Sequence, residues 1–71
     1  MRQLDYIISF GITGINTVTV YDRDKLFCEI EVLADSPYST EEEIQNWLDD
    51  NGYEEEDFEF NRLNQWNLNN Y

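Results

Sequence analysis

Apolar and polar residues alternate along most of the first 34 positions, a period of two that is typical of β-strands. Three alternating runs cover residues 4–10, 16–22 and 26–34. In the first and third runs every second residue is apolar, and in the third run that set is Leu26, Cys28, Ile30, Val32 and Ala34. The second run places Val18 and Val20 on one side and β-branched or aromatic residues on the other. The pattern predicts three strands that share one apolar face, with Phe27, Glu29, Glu31 and Leu33 pointing away from it.

The register of these strands follows from the same alternation. A three-residue loop at residues 23–25 places Val20 opposite Cys28 and Val18 opposite Ile30, which keeps apolar side chains on one face. A two-residue loop would instead pair both valines with outward side chains. By the same reasoning the first turn lies at residues 13–15, with Phe10 opposite Val18. We therefore predict a three-stranded antiparallel meander.

The next segment changes to a helical pattern. Pro37 ends the alternation, and Ser39 is followed three residues later by Glu42, the spacing of a capping box. Ile44, Trp47 and Leu48 recur at helical spacing and form one apolar stripe. Asn51-Gly52 is a helix-stop signal, because glycine readily takes the left-handed conformation. We expect a helix of about three turns whose stripe covers the apolar face of the sheet.

After the helix, Phe58 and Phe60 alternate with polar residues and predict a fourth strand at an edge of the sheet. Arg62 continues the Phe58 and Phe60 side of this strand. Residues 64–71 show no period and are expected to form a flexible or partner-binding tail. The predicted fold class is α+β, an antiparallel three- to four-stranded sheet with one helix packed on one face, in a single domain of residues 1–71.

Charge is distributed unevenly over this scaffold. The chain has 71 residues and a formal net charge of −12, and ten of its sixteen carboxylates lie in residues 39–59 with no basic residue among them. So much like charge costs stability through self-repulsion and exceeds the magnitude of about 2–8 that serves solubility in a small domain. Hydrophobic content of 41% and aromatic content of 15% nevertheless predict a folded chain. Direct binding to nucleic acid or to anionic lipid is disfavoured.

Candidate catalytic and metal chemistry is sparse. The sequence has no histidine and one cysteine, Cys28, which its alternating run predicts to be a buried hydrophobe rather than a nucleophile. An EF-hand alignment on Gly52 fails, because it puts Trp47 and Phe58 where Asp and Glu are required. A looser cation site at Asp49, Asp50 and Glu54 is a minor alternative. We expect no enzyme activity, no cofactor, no signal peptide and no membrane span, and a location in the cytoplasm of a host cell.

Mimicry of a polyanion accounts better for the acidic segment. Carboxylates three or four residues apart on a helix lie roughly 5–6 Å from each other, and an acidic edge strand can extend the row. Nearby aromatic side chains (Tyr53, Phe58 and Trp66) could take the places of stacked bases. A solvated face would explain Glu41 to Glu43 at the helix start, but not Asp49 and Asp50 at the end, where the helix dipole disfavours negative charge.

In size, charge and the EEE…DD…EEED pattern over Glu41 to Glu59, the chain resembles small acidic inhibitors made by phages and mobile elements. These include antirestriction proteins, uracil-DNA glycosylase inhibitors and anti-CRISPR proteins. The resemblance implies a non-enzymatic inhibitor that blocks a basic nucleic-acid-binding surface of a host protein, such as a restriction or CRISPR defence nuclease.

The residues predicted to contact that partner are Glu42, Glu43, Asp49, Asp50, Tyr53, Glu54, Glu55, Glu56, Asp57, Glu59 and Trp66. A weaker second face comprises Asp5, Glu29 and Glu31. The alternative function is a small interaction module or homodimer that associates through the open sheet edge and the tail residues Trp66, Leu68 and Tyr71.

Overall fold

The computed structural model describes residues 1–64. It contains four strands and one helix in the predicted order: β1 (Arg2–Ser9), β2 (Ile15–Asp22), β3 (Lys25–Leu33), α1 (Thr40–Asp50) and β4 (Phe58–Arg62). The predicted α+β class, with one helix packed on one face of a sheet, is confirmed. The tail was predicted for residues 64–71, and all of it except Asn64 lies outside the described part.

The four strands form one mixed sheet in the order β3-β2-β1-β4. Strands β1, β2 and β3 form the predicted antiparallel meander. The prediction of a purely antiparallel sheet is wrong, because β4 pairs with β1 in the parallel direction, with Arg2 opposite Phe58. Helix α1 connects β3 at one edge to β4 at the other, as in a βαβ crossover. The helix returns the chain to the end where β3 began, so β4 must run parallel to β3 and hence to β1.

The first hairpin has the predicted faces but not the predicted register. Ile8 lies opposite Val18 and Tyr6 opposite Val20, two residues from the expected pairing. Five residues rather than three connect the strands, and Phe10, expected in the apolar face, is 70% exposed in this loop. A shift of two residues keeps the same side chains inward, which is why the core survives the error.

The second hairpin has the predicted register but a shorter turn than predicted. Val20 lies opposite Cys28 and Val18 opposite Ile30, as expected. The turn, however, has two residues, Arg23 and Asp24, both with positive φ, as in the turns that match strand twist. A β-bulge supplies the missing residue: Val20 pairs with Cys28 and Tyr21 with Leu26, which leaves Phe27 as the extra residue.

Because of this bulge, two side chains at the start of β3 lie on the faces opposite to those predicted. Phe27, expected to point outward, packs against the core, whereas Leu26, expected inward, is 65% exposed. Cys28 is half-buried, and desolvation raises the pKa of its thiol. From Glu29 to Leu33 the alternation is as predicted, with Ile30 and Val32 buried and Glu29 and Glu31 exposed. Ala34, expected inward, follows the end of the strand and is exposed.

The core lies between the helix and one face of the sheet. Ile44 and Leu48 of α1 are fully buried, and Trp47 packs beside them, so the predicted stripe is confirmed. The sheet contributes Leu4, Tyr6, Ile8, Val18, Val20, Ile30 and Val32. Phe58 and Phe60 extend this layer from β4 with stacked rings whose centroids are 6.4 Å apart.

Both ends of the helix are capped as the sequence predicts. Ser39 accepts a hydrogen bond from the backbone N–H of Glu42, whose side chain accepts one from the backbone N–H of Ser39. At the other end Gly52 has a φ of +92°. The N–H groups of Tyr53 and Gly52 donate to the carbonyls of Leu48 and Asp49, the pattern of a Schellman motif. This motif sets the direction in which the acidic loop leaves the helix.

Candidate acidic interface

The acidic loop between α1 and β4 is held in place at both ends. The N–H of Glu56 donates to the carbonyl of Tyr53, and the N–H of Arg2 donates to the carbonyl of Asp57, each at 3.0 Å. The first bond closes a turn inside the loop, and the second attaches its last residue to the start of β1. The loop therefore presents its carboxylates from a fixed backbone.

Arg2 makes a second attachment through its side chain. Its guanidinium donates to Asp22 at 2.7 Å and to Glu56 at 3.0 Å, and these bonds raise the pKa of Arg2. The same group lies 5.2 Å from the ring centre of Phe27 and 5.8 Å from that of Phe58, within the range of cation–π contacts. Arg2 thus links β1, the bulge of β3 and the acidic loop.

Four of the predicted partner-binding carboxylates are engaged inside the protein. Glu42 caps the helix, and Glu43 accepts a hydrogen bond from the Ser36 hydroxyl at 3.3 Å. Asp49 accepts one from the side-chain amide of Gln45 at 2.9 Å, and Glu56 is bound by Arg2. These contacts compete with a partner for the carboxylate oxygens, because each bond must be broken or shared when another donor approaches.

The other predicted carboxylates are exposed and make no side-chain hydrogen bond or ion pair with any residue in 1–64. They follow one another from the end of α1, through the loop, to β4. We call this set the acidic corner: Asp50, Glu54, Glu55, Asp57 and Glu59. Each keeps its full capacity to accept hydrogen bonds from cationic groups.

The position of the acidic corner is electrostatically unfavourable for the fold. The last turn of α1 contains Asp49 and Asp50 and no basic residue, although the negative end of the helix dipole favours cations there. At the other end Glu41, Glu42 and Glu43 occupy the first turn, where negative charge stabilises the helix. Capping and solubility account for the first group of acids but give no reason for the second.

Of the two aromatic residues in the predicted interface, the structure describes Tyr53 but not Trp66. The ring of Tyr53 is half-buried, with its centroid 5.6 Å from that of Phe27 and 6.2 Å from that of Phe58. Packing in this cluster encloses part of the Tyr53 ring and leaves the rest accessible beside the acidic corner. Trp66 lies outside the described residues, as do Leu68 and Tyr71 of the alternative interface.

The weaker second face lies on the side of the sheet away from the helix. Glu29 and Glu31 are exposed on the edge strand β3, opposite Thr19 and Thr17. Asp5 is half-buried on β1 and accepts hydrogen bonds from Gln3 at 3.4 Å and Asn61 at 3.2 Å. Glu29 and Glu31 are therefore more available to a partner than Asp5, but the width of the sheet separates them from the acidic corner.

A groove of about 770 Å³ opens at the end of the sheet near Arg2. Arg23 and Lys25 line it together with Asp5 and Asp22, so its charges are mixed. The groove therefore lacks the excess of one charge that distinguishes the acidic corner. Within residues 1–64 no three carboxylate or thiol side chains converge as a ligand set for a metal ion, which includes the looser set Asp49, Asp50 and Glu54.

Clusters of charge do not reveal one exposed feature of the molecule. Phe10, Ile12, Ile15 and Leu33 are large apolar residues exposed at the end of the sheet opposite the start of β1. The available signal was the absence of any charged residue between Asp5 and Asp22, a long neutral run for a chain this acidic.

No helix in the part of the chain described here is long and apolar enough to cross a membrane.

Comparison with protein families, with curated proteins and with solved structures finds no significant match to this chain.

Proposed function

We propose that this chain is a non-enzymatic acidic inhibitor that mimics the charge of nucleic acid and blocks a basic nucleic-acid-binding surface of a host protein. A restriction or CRISPR defence nuclease is the kind of target that the charge pattern fits. The observation that carries the proposal is the acidic corner, whose five carboxylates have no internal partner among the described residues.

Rigidity supports mimicry over a flexible acidic tail. The corner lies on the last turn of a helix, a hydrogen-bonded loop and a paired strand. A basic cleft that binds these carboxylates does not have to order them first, so less conformational entropy is lost on binding. Nucleic-acid-binding clefts recognise duplexes largely through phosphate charge density, and fixed carboxylates can occupy the same basic side chains.

The energetic cost of the corner supports selection for binding. Asp50 lies at the unfavourable end of the helix dipole, and four further acids follow within nine residues at Glu54, Glu55, Glu56 and Asp57, with Glu59 beyond them. Among residues 1–64, Glu56 is the only acid of this loop that forms an ion pair, and its partner is Arg2. Residues that destabilise a fold are commonly retained where function requires them.

The experiment compares two variants of equal net charge. One variant replaces Glu54, Glu55, Asp57 and Glu59 by the corresponding amides, and the other replaces Asp24, Glu29, Glu31 and Asp35. All eight residues are exposed. The tagged proteins are used to capture partners from a host lysate at low salt, and bound proteins are eluted with a salt gradient.

The proposal predicts that the wild type and the second variant retain a nucleic-acid-binding protein that elutes at moderate salt, because exposed charge pairs are screened by salt. The corner variant should lose it. Retention by the corner variant, with loss by the second variant, would place the interface on the outer sheet face and contradict the proposal.

The alternative function, a small interaction module, is supported by the positions of β3 and β4 at the two edges of the sheet. Strand β3 has nine residues, and its outer backbone groups have no partner strand within residues 1–64, so an extended peptide could add to it. Under this alternative, truncation before Gln65 should reduce partner binding more than the corner variant does, and salt should have little effect.

A further inference from the structure

Strand β3 forms an open edge of the sheet. The order β3-β2-β1-β4 gives it β2 as a neighbour on one side and, within residues 1–64, no strand on the other. It is nine residues long, whereas β4 at the opposite edge has five. An edge strand of this length can pair with an extended segment of another chain, which then becomes a further strand of the sheet.

The backbone groups that face the open side belong to alternate residues of β3. The N–H of Ala34 donates to the carbonyl of Gly14 at 2.8 Å, in the same register as the pairing of β2 with β3. Because successive residues of an antiparallel strand direct their backbone groups to opposite sides, every second residue before Ala34 bonds to β2. The residues between them, Glu29, Glu31 and Leu33, therefore direct their N–H groups to the open side.

The same three residues present their side chains on one face of the sheet. Glu29 and Glu31 are exposed on the side away from the helix, and Leu33 continues their alternation and is 60% exposed. This edge thus carries an acidic, a second acidic and an apolar side chain at alternate positions. A strand added beside it would place its own side chains opposite these three, with about 5 Å between the Cβ atoms.

The surroundings of this edge add to its negative charge. Residues 26–35 contain three carboxylates and no basic residue. The Ser36 hydroxyl donates to Glu43 at 3.3 Å, which brings the acidic first turn of α1 close to the end of β3. Lys25 lies at the start of the strand, on the far side of the bulge. An occupant of the regular part of the edge therefore meets negative charge.

This charge identifies the occupant. We propose that β3 binds an extended basic segment of a partner protein by strand addition, with Lys or Arg opposite Glu29 and Glu31 and an apolar residue opposite Leu33. Backbone hydrogen bonds supply the attachment, and the alternate side chains supply the specificity. A second copy of the chain does not fit, because antiparallel pairing of two β3 strands sets carboxylates opposite one another, which is destabilising.

Strand addition at β3 does not depend on nucleic-acid mimicry by the acidic corner. The acidic loop leads into β4, at the other edge of the sheet. Removal of charge from Glu29 and Glu31 should leave capture of a nucleic-acid-binding protein intact. Removal of charge from Glu54 and Glu55 should leave strand addition intact. Failure of either proposal is therefore recognised separately, and the open edge of the alternative interaction module gains a partner of defined chemistry.

Amide hydrogen exchange of the full chain, followed residue by residue by NMR, tests the pairing itself. The probe is a short acetylated and amidated peptide in which one leucine and two lysines occupy alternate positions, separated by threonines. In the free chain the N–H groups of Glu29, Glu31 and Leu33 should exchange rapidly. Saturation with the peptide should slow their exchange at least about tenfold, because they become hydrogen-bonded. The N–H of Ile30, which points to β2, should exchange slowly in both states.

Fluorescence anisotropy of the labelled peptide identifies the side chains that bind it. The double variant Glu29→Gln and Glu31→Gln should bind it at least about fivefold more weakly, because two cross-strand charge pairs are lost. The matched control, Glu54→Gln and Glu55→Gln, loses the same charge at exposed residues and should bind like the wild type. A peptide of the same composition with adjacent lysines should bind weakly, because neighbouring side chains of a strand point to opposite faces.

Four results would overturn the proposal: no binding of the peptide at about 1 mM, equal weakening by the two double variants, equal binding of the two peptides, or binding without slowed exchange on β3. The second and third would show general attraction of a basic peptide to an acidic chain. Slow exchange at Glu29 and Glu31 without peptide would also overturn it. The occupant would then be a second copy if this protection rises with protein concentration, and the chain itself if it does not.

Discussion

Arg2 and Glu56 are separated by 54 residues in sequence and joined by a hydrogen bond of 3.0 Å between Nη1 and Oε1. Asp22 accepts from the same guanidinium at 2.7 Å, so one cation neutralises two carboxylates of different elements. The rings of Phe27 and Phe58 lie beside it. The most acidic loop is thus attached to the sheet by Arg2, one of the four basic residues in the chain.

Removal of this attachment should destabilise the fold. We expect Arg2→Gln to lower the melting temperature by a few degrees, because Asp22 and Glu56 lose their cationic partner and the aromatic rings lose packing. Arg62→Gln is the matched control, since it removes the same charge from an exposed position on β4. Equal shifts in thermal unfolding for both variants would show that net charge alone is responsible.

The hydroxyl of Tyr6 donates to Glu41 at 2.8 Å, and burial followed by this bond raises the pKa of Tyr6 to about 12. In an ultraviolet absorbance titration one tyrosine should therefore ionise well above the usual value of 10.0. Glu41→Gln should bring this pKa part of the way down, because desolvation is the larger cause and remains. The late step should be absent in Tyr6→Phe, and its persistence there would contradict the assignment.

The same shift determines how stability depends on pH. Because the pKa of Tyr6 is higher in the folded state, its contribution is complete below about pH 10 and is lost as the pH rises towards about 12. The free energy of unfolding, measured by urea denaturation, should fall over this interval more steeply in the wild type than in Tyr6→Phe. Parallel curves for the two proteins would contradict this linkage.

Leu48 should be essential to the small core. Its side chain is fully buried between α1 and the sheet, so Leu48→Ala should cost about 2–5 kcal/mol, a large part of the stability of a 71-residue domain. Leu26→Ala, at a residue left exposed by the β-bulge, should change stability by no more than about 0.5 kcal/mol. Chemical denaturation monitored by circular dichroism distinguishes the two.

The acidic corner should be costly to the fold. Asp50→Asn removes an unfavourable charge at the end of α1 and should stabilise the protein by about 0.3–1 kcal/mol. Glu42→Gln removes the same charge from the first turn and should destabilise it by a similar amount, since the dipole favours the carboxylate there. A gain in both variants would mean that general self-repulsion, rather than position, sets the cost.

Local rules were sufficient to predict the helix and the inward-facing side chains of β1 and β2. The capping box at Ser39, the stripe at Ile44 and Leu48, and the stop at Gly52 depend on residues close in sequence. Alternation fixed which side chains point inward, and Ile8 and Val18 remained inward even though their register shifted by two residues.

Features that depend on one inserted residue or on distant partners were not predicted. The bulge at Phe27 reverses the faces of Leu26 and Phe27. The two-residue turn at Arg23 and Asp24 lacks a dipeptide such as Asn-Gly that would mark it in the sequence. Equally, nothing near Glu56 shows that Arg2 will bind it. The sequence therefore predicted a continuous acidic surface, whereas hydrogen bonds divide it into engaged carboxylates and the acidic corner.

If the acidic corner occupies a nucleic-acid-binding surface, the chain should compete with DNA for that surface. A partner captured from lysate is purified and bound to a fluorescent DNA duplex, and the chain is then titrated into this complex while anisotropy is recorded. We predict that the wild type and the variant altered at Asp24, Glu29, Glu31 and Asp35 release the DNA, whereas the variant altered at Glu54, Glu55, Asp57 and Glu59 does not. Formation of a ternary complex without release, or equal release by both variants, would contradict mimicry of nucleic acid by the acidic corner.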